Sequence, residues 1–187
     1  MSKYRPLLML ALLSGALVYY LISLKDIITY QTHSNKPTIL GSAEYLKVDA
    51  LAHNQFVTIR LITDDRAAQA AWMRDLSFRQ NYIYFHVQGA PLLVEISDAI
   101  NTHIKLQPYQ QITLSGRLVK THHSSQYQKL AQFFKNQFHI HQDQELAILQ
   151  VDVKPQEQIK YSVFVLLCIC FIGFNIYYVL HKRNLTR

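Results

Sequence analysis

Two long apolar runs, one near each end, constrain this chain more than any other feature. Leu7 to Leu24 reads LLMLALLSGALVYYLISL, and Tyr161 to Leu180 reads YSVFVLLCICFIGFNIYYVL. Neither contains Asp, Glu, Lys, Arg or His. A helix needs roughly 20 such residues to cross the hydrocarbon core of a bilayer. The runs predict two transmembrane helices, 7–24 and 161–180, with short tails 1–6 and 181–187. Between them lie a juxtamembrane linker, 25–37, and one domain, 38–160.

Charge orients this expected arrangement. The segment from Lys25 to Lys160 holds all twelve acidic residues and fourteen of the nineteen Lys and Arg. The other five basic residues are Lys3, Arg5, Lys182, Arg183 and Arg187. Short basic flanks stay in the cytoplasm, whereas long domains translocate largely regardless of charge. Both termini are expected on the cytoplasmic or matrix side, and the domain on the periplasmic or intermembrane side. The chain would then sit in a bacterial or mitochondrial inner membrane, in contact with lipid and other integral membrane proteins. A cleaved signal peptide is the competing reading of the first run. Its length beyond the usual ~7–15 apolar residues favours an uncleaved anchor. The formal charge of +7 does not imply nucleic acid, because the excess lies in the tails and such binders need a basic patch on the folded domain.

Both cysteines, Cys168 and Cys170, fall inside the second run. Two residues apart on a helix, they stand about 200° apart and make poor joint metal ligands. Gly173 and Asn175 in the same run point to close packing against another helix, the first run being one candidate.

The domain carries strand signals. Ala43–Ala50, Gln55–Ile62, Tyr82–Gln88, Pro91–Ser97, Gln111–Lys120 and Leu146–Val153 show period-2 alternation or β-rich composition. Gly89-Ala90 reads as a hairpin turn. Two helices are expected. Asp64-Asp65 would cap Arg66–Leu76, with acids at its positive end. Ser124-Ser125 would cap Gln126–Phe138, whose Tyr127, Leu130, Ala131, Phe134 and Phe138 form one stripe. That stripe is expected to pack on the sheet. The predicted class is α+β and membrane-anchored: a small antiparallel, barrel-like, OB-like sheet with one or two helices.

Histidines are the candidate ligands. His139 and His141 share a strand face, and His122-His123 stand at the other end of the expected helix. The four could ligate a transition metal or haem. No nucleophile motif or Gly-rich phosphate loop is present, so an enzyme is not expected. Tyr82, Tyr84 and His86 lie on one face of their strand and are candidate partner contacts, together with Gly173 and Asn175.

Three segments resemble the SURF1-like cytochrome oxidase assembly factors. Pro91–Ser97 and Ile112–Leu118 are similar to two strands of that family, and Glu157–Tyr161 is similar to its lead into the last helix. The resemblance implies a SURF1-like β domain between two membrane helices and a role in oxidase assembly or haem delivery. The expected function is a non-enzymatic factor assisting assembly of a membrane complex, such as a respiratory oxidase. A haem- or metal-handling chaperone is one alternative. A structural subunit of a secretion or respiratory complex is another.

Overall fold

Alternating apolar residues organise the central part of the chain into strands. The structure, a computed structural model, describes residues 5–72, 80–104, 107–140, 143–155 and 159–184. It divides into two units, 1–32 with 156–187, and 33–155.

The central unit contains β1 (Thr38–Ser42), β2 (Gln55–Trp72), β3 (Gln80–Val87), β4 (Leu92–Ser97), β5 (Gln111–Lys120) and β6 (Ala147–Val151). These form one six-stranded sheet. The sheet is mixed, whereas the sequence suggests an antiparallel one: β1–β2 and β4–β6 run parallel. Strand β2 explains how the sheet curls. Its first half pairs with β5, Gln55 opposite Leu118 through Ile62 opposite Gln111. Its second half pairs with β3, from Ala67 opposite Phe85 to Trp72 opposite Gln80. A bulge between Thr63 and Ala67 separates the halves, and bulges bend a strand and increase its twist. The ring β2-β3-β4-β6-β5 thereby closes back on β2.

Alternation then gives each strand an inner and an outer face. Val57, Ile59, Leu61, Phe85, Val87, Leu92, Val94, Ile96, Leu114, Leu118, Leu149 and Val151 fill the interior. The outer face of β3, β4, β6 and β5 is covered by helix α4 (Ser125–Phe138). The stripe of Tyr127, Leu130, Ala131 and Phe134 is buried there, with Phe138 partly so. Ser124 takes the N-cap position in extended conformation, without a side-chain cap hydrogen bond. Gly116 interrupts the apolar alternation of β5 for a steric reason. A Cβ at this position would lie 2.1 Å from the Gln150 carbonyl oxygen of β6. Gly89, at φ 73°, makes the β3–β4 turn in a conformation L side chains resist.

Three local expectations change. The Arg66–Leu76 segment is not helical where described: residues up to Trp72 continue β2. Alanine and arginine favour helix, but pairing with β3 wins, and Ala68 and Ala70, partly buried on the face under α4, are too small to show a strand pattern in hydropathy. Residues 73–76 lie outside the described residues. Ala43–Ala50 forms two 3-10 turns, 43–45 and 48–50, whose Ala43 and Val48 are buried against the interior core. A short helix, α3 (Asp98–Ile104), follows β4.

The other unit holds α1 (Arg5–Ser23), α2 (Lys25–Gln31) and α5 (Ile159–Asn184). Thus 25–31 is a helix, not a linker. Leu24 and Ile27 are buried beside Ile28 and Val165. The expected pair of membrane-spanning helices is not found: among the described residues no helix is long and apolar enough to cross a membrane. The membrane-anchored class, the two spans and the inner-membrane location with its sidedness are corrected accordingly.

Candidate functional site

The outer face beneath α4 carries a line of polar side chains that hydropathy does not announce. Register places Tyr84 opposite Glu95, Glu95 opposite Gln150, and Gln150 opposite Arg117. One rung thus crosses four strands, β3-β4-β6-β5, and all four residues are buried. Tyr84 donates its hydroxyl to Glu95 Oε2 at 2.7 Å. Tyr127 of α4 donates to the same oxygen at 2.9 Å. Gln150 Nε2 donates to the Tyr127 hydroxyl at 2.5 Å. At the far end, Arg117 Nε donates to Asn54 Oδ1 at 2.5 Å. A buried polar group without a partner costs about 1–3 kcal/mol. These contacts therefore fix both the register of the sheet and the seat of α4.

The bulge of β2 builds a second buried pair. Asp64 does not cap a helix. Its Oδ1 accepts the Arg66 backbone N–H at 2.9 Å, and its Oδ2 accepts from His86 Nδ1 at 2.5 Å. His86 is 2% exposed. The neighbouring Asp65 carboxylate raises the pKa of the exposed Tyr109 phenol, chiefly by its charge. Tyr82, Tyr84 and His86 do share one strand face, as their spacing predicts. That face is covered by α4 and the bulge, however, so these residues are core and do not form an outer contact surface.

The histidines assemble differently from their order in the sequence. His122 and His123 form a 3-10 turn with Thr121 before α4. His139 ends that 14-residue helix, in left-handed conformation at φ 53°. At 1.5 Å per residue the helix keeps His139 about 21 Å from the pair. His141 lies outside the described residues. The expected quartet is not brought together, and among the described residues no group of three or more His, Cys, Asp or Glu is placed to hold a metal ion.

His53, from the segment before β2, joins the pair instead. Its ring stacks on His123 with centroids 3.7 Å apart and planes 26° apart. His123 meets His122 at 4.0 Å. His122 Nδ1 donates a short hydrogen bond to Glu145 Oε1. Partial burial pushes the Glu145 carboxyl up, but the hydrogen bonds and charge of His122 outweigh it, and the net shift is downward. The His122–Glu145 pair sits in an open groove beside α4, floored by Ala131 and Leu146 and walled by Gln128, Gln132 and Lys135. Sequence reasoning misses His53 and Glu145, which lie 70 and 23 positions from their partners His123 and His122 in the chain and carry no local motif.

Gly173 and Asn175 lie on α5. Gly173 is exposed, with no atom within 4 Å of where a Cβ would stand. Asn175 Nδ2 donates to the Phe171 carbonyl at 2.7 Å, within its own helix. Cys168 is buried and Cys170 exposed, the divergence that helix geometry demands. Around Gly173, Phe171, Phe174, Ile176, Tyr177 and Tyr178 are exposed.

No protein-family model matches this chain, and no curated protein matches it.

Proposed function

We propose that this chain is a non-enzymatic assembly factor that binds a partner protein through the apolar surface of α5. One observation carries the reading. Phe171, Phe174, Ile176, Tyr177 and Tyr178 are all about half exposed or more, and they surround a glycine that leaves room for close approach. Folded proteins rarely leave so continuous an apolar surface without a partner to cover it. Aromatic side chains are also the residues that dominate binding energy at interfaces. The central unit would serve as the folded body that such a factor presents. Its buried polar groups Tyr84, Glu95, Gln150 and Tyr127 hold the sheet and α4 together.

The resemblance of Pro91–Ser97 and Ile112–Leu118 to SURF1-like factors makes a respiratory oxidase the first complex to test. Full-length chain is purified from its own cells beside variants Gly173→Leu and Phe174→Ser. The expected result is a stoichiometric partner with the wild type, lost with both variants, while the melting temperature of the central unit is unchanged. Wild-type chain recovered alone, or a partner retained equally by both variants, overturns the reading. A partner other than oxidase subunits keeps the assembly role and removes the oxidase context.

A further inference from the structure

The far half of β2 leaves the barrel with one edge open. β5 pairs with β2 only as far as Ile62. The approach to β5 follows it to Thr63, whose carbonyl accepts the Tyr109 N–H at 2.7 Å and whose hydroxyl donates to the Gln107 carbonyl at 2.8 Å. From Ala67 to Trp72 the strand pairs with β3 alone among the described residues. Native proteins blunt such edges with charged side chains, Pro or bulges. Ala67-Ala68-Gln69-Ala70-Ala71 carries neither charge nor Pro, and the β2 bulge lies before it. Ala67 and Gln69 are exposed, while Ala68 and Ala70 rest partly buried on the face under α4. These five residues read the same in both directions.

We infer that this open edge pairs with the same edge of a second copy of the chain, antiparallel about a twofold axis at Gln69. The palindrome is what selects the second copy. A twofold interface sets one patch against itself, and a twofold axis at a strand edge, perpendicular to the sheet, makes the two strands antiparallel. With Gln69 opposite Gln69, Ala68 meets Ala70 and Ala67 meets Ala71. Register thus sets alanine opposite alanine at every position off the axis, and no bulky residue props the backbones apart. On the axis the two side-chain amides stand within reach, since opposed residues have Cβ atoms about 4.5–5.5 Å apart. Each amide both donates and accepts. Arg66 of each copy falls opposite position 72 of the other, so the two arginines stand at opposite ends of the pair and like charges do not meet. Pairing occupies the edge of both copies, so the assembly closes at two. An extended segment of another protein would make the same backbone bonds but would gain nothing from the palindrome. No residue of α5 takes part, so the pairing stands independently of the partner proposed there.

Disulfide trapping on the full chain tests the register. Cys168→Ala/Cys170→Ser removes the native thiols. In that background Gln69→Cys sets two identical positions opposite each other, about 4.5–5.5 Å apart at Cα, inside the span of about 4.4–6.8 Å that a disulfide bridges. Ala67→Cys leaves its thiol about 13 Å along the strand from its own counterpart, out of reach. Mild oxidation is expected to give a crosslinked dimer with Gln69→Cys and to fail with Ala67→Cys. Sedimentation of the wild type over a range of concentrations is expected to show a monomer–dimer equilibrium. Gln69→Lys sets like charges opposite each other and is expected to weaken it about fivefold or more. Gln69 is exposed, so the thermal transition of the monomer is expected to stay unchanged. Wild type that sediments as monomer at every concentration, or equal crosslinking at both positions, overturns the pairing. A dimer that survives Gln69→Lys but is lost with Phe174→Ser places self-association on α5 and also overturns it.

Discussion

The two faces of the same strands are stabilised by different physics. The interior of the barrel is apolar on every strand, and its stability follows from volume and area removed from water. The outer face under α4 is apolar at Leu93, Val119, Leu130, Phe134 and Ile148, yet it is crossed by Tyr84, Glu95, Gln150 and Arg117. Burial there stabilises only if each polar group meets its partner. The inner face tolerates apolar side chains of the right size. The outer face specifies one seat for one helix.

Where the two faces share backbone, the largest effect is expected. Gly116→Ala places a Cβ 2.1 Å from the Gln150 carbonyl. Neither backbone can move without parting β5 from β6. Loss of cooperative folding is expected, seen as a missing thermal transition; a normal transition would mean that the close approach is not required. Inside the barrel, Leu92→Ala removes a fully buried side chain. A loss of about 2–5 kcal/mol is expected by denaturant titration, and a loss under about 1 kcal/mol would mean the interior collapses to fill the space.

The outer face gives a sharper contrast. Glu95→Leu leaves the hydroxyls of Tyr84 and Tyr127 without their acceptor, at about 1–3 kcal/mol each. Adding Tyr84→Phe to Glu95→Leu removes one stranded hydroxyl while Tyr127 still accepts from Gln150, and the double variant is expected to be more stable than the single one. Simple additivity of the two changes would show that the groups do not act as a network. The smallest effect is at the rim. The Glu145 carboxyl titrates below its ordinary value of 4.5 in the folded chain. Its contribution is present above that value and lost as pH falls through the folded one. The melting temperatures of wild type and Glu145→Gln should therefore differ by a small amount near pH 6 and converge toward pH 3. A gap that widens on acidification would reverse the assignment.

Parts of this arrangement are legible in the residues. The alternation in Gln55–Ile62, Tyr82–Gln88 and Gln111–Lys120 marks strands because large apolar side chains recur every second position. Tyr127, Leu130, Ala131, Phe134 and Phe138 mark α4 and its buried face. The second half of β2 is not legible, because Ala67 to Ala71 offer no hydropathy contrast and favour helix locally. The candidate site is legible only in pieces. His122 and His123 stand out in the sequence, but His53 and Glu145 reach them through the β2–β5 and β5–β6 pairings. The apolar runs near the ends announce helices, and α1 and α5 are found there. Their lengths in sequence do not translate into a span among the described residues.

By itself the sequence determined the strands at Gln55–Ile62, Tyr82–Gln88 and Gln111–Lys120, helix α4, and which side of each would be apolar, because those choices depend on neighbours two to four residues away. Tertiary structure decided how the sheet closed, that Glu95 would be met by two tyrosines, and that His53 would stack on His123. Each of these depends on register between strands far apart in the chain, and one residue of slip would send every such side chain to the opposite face.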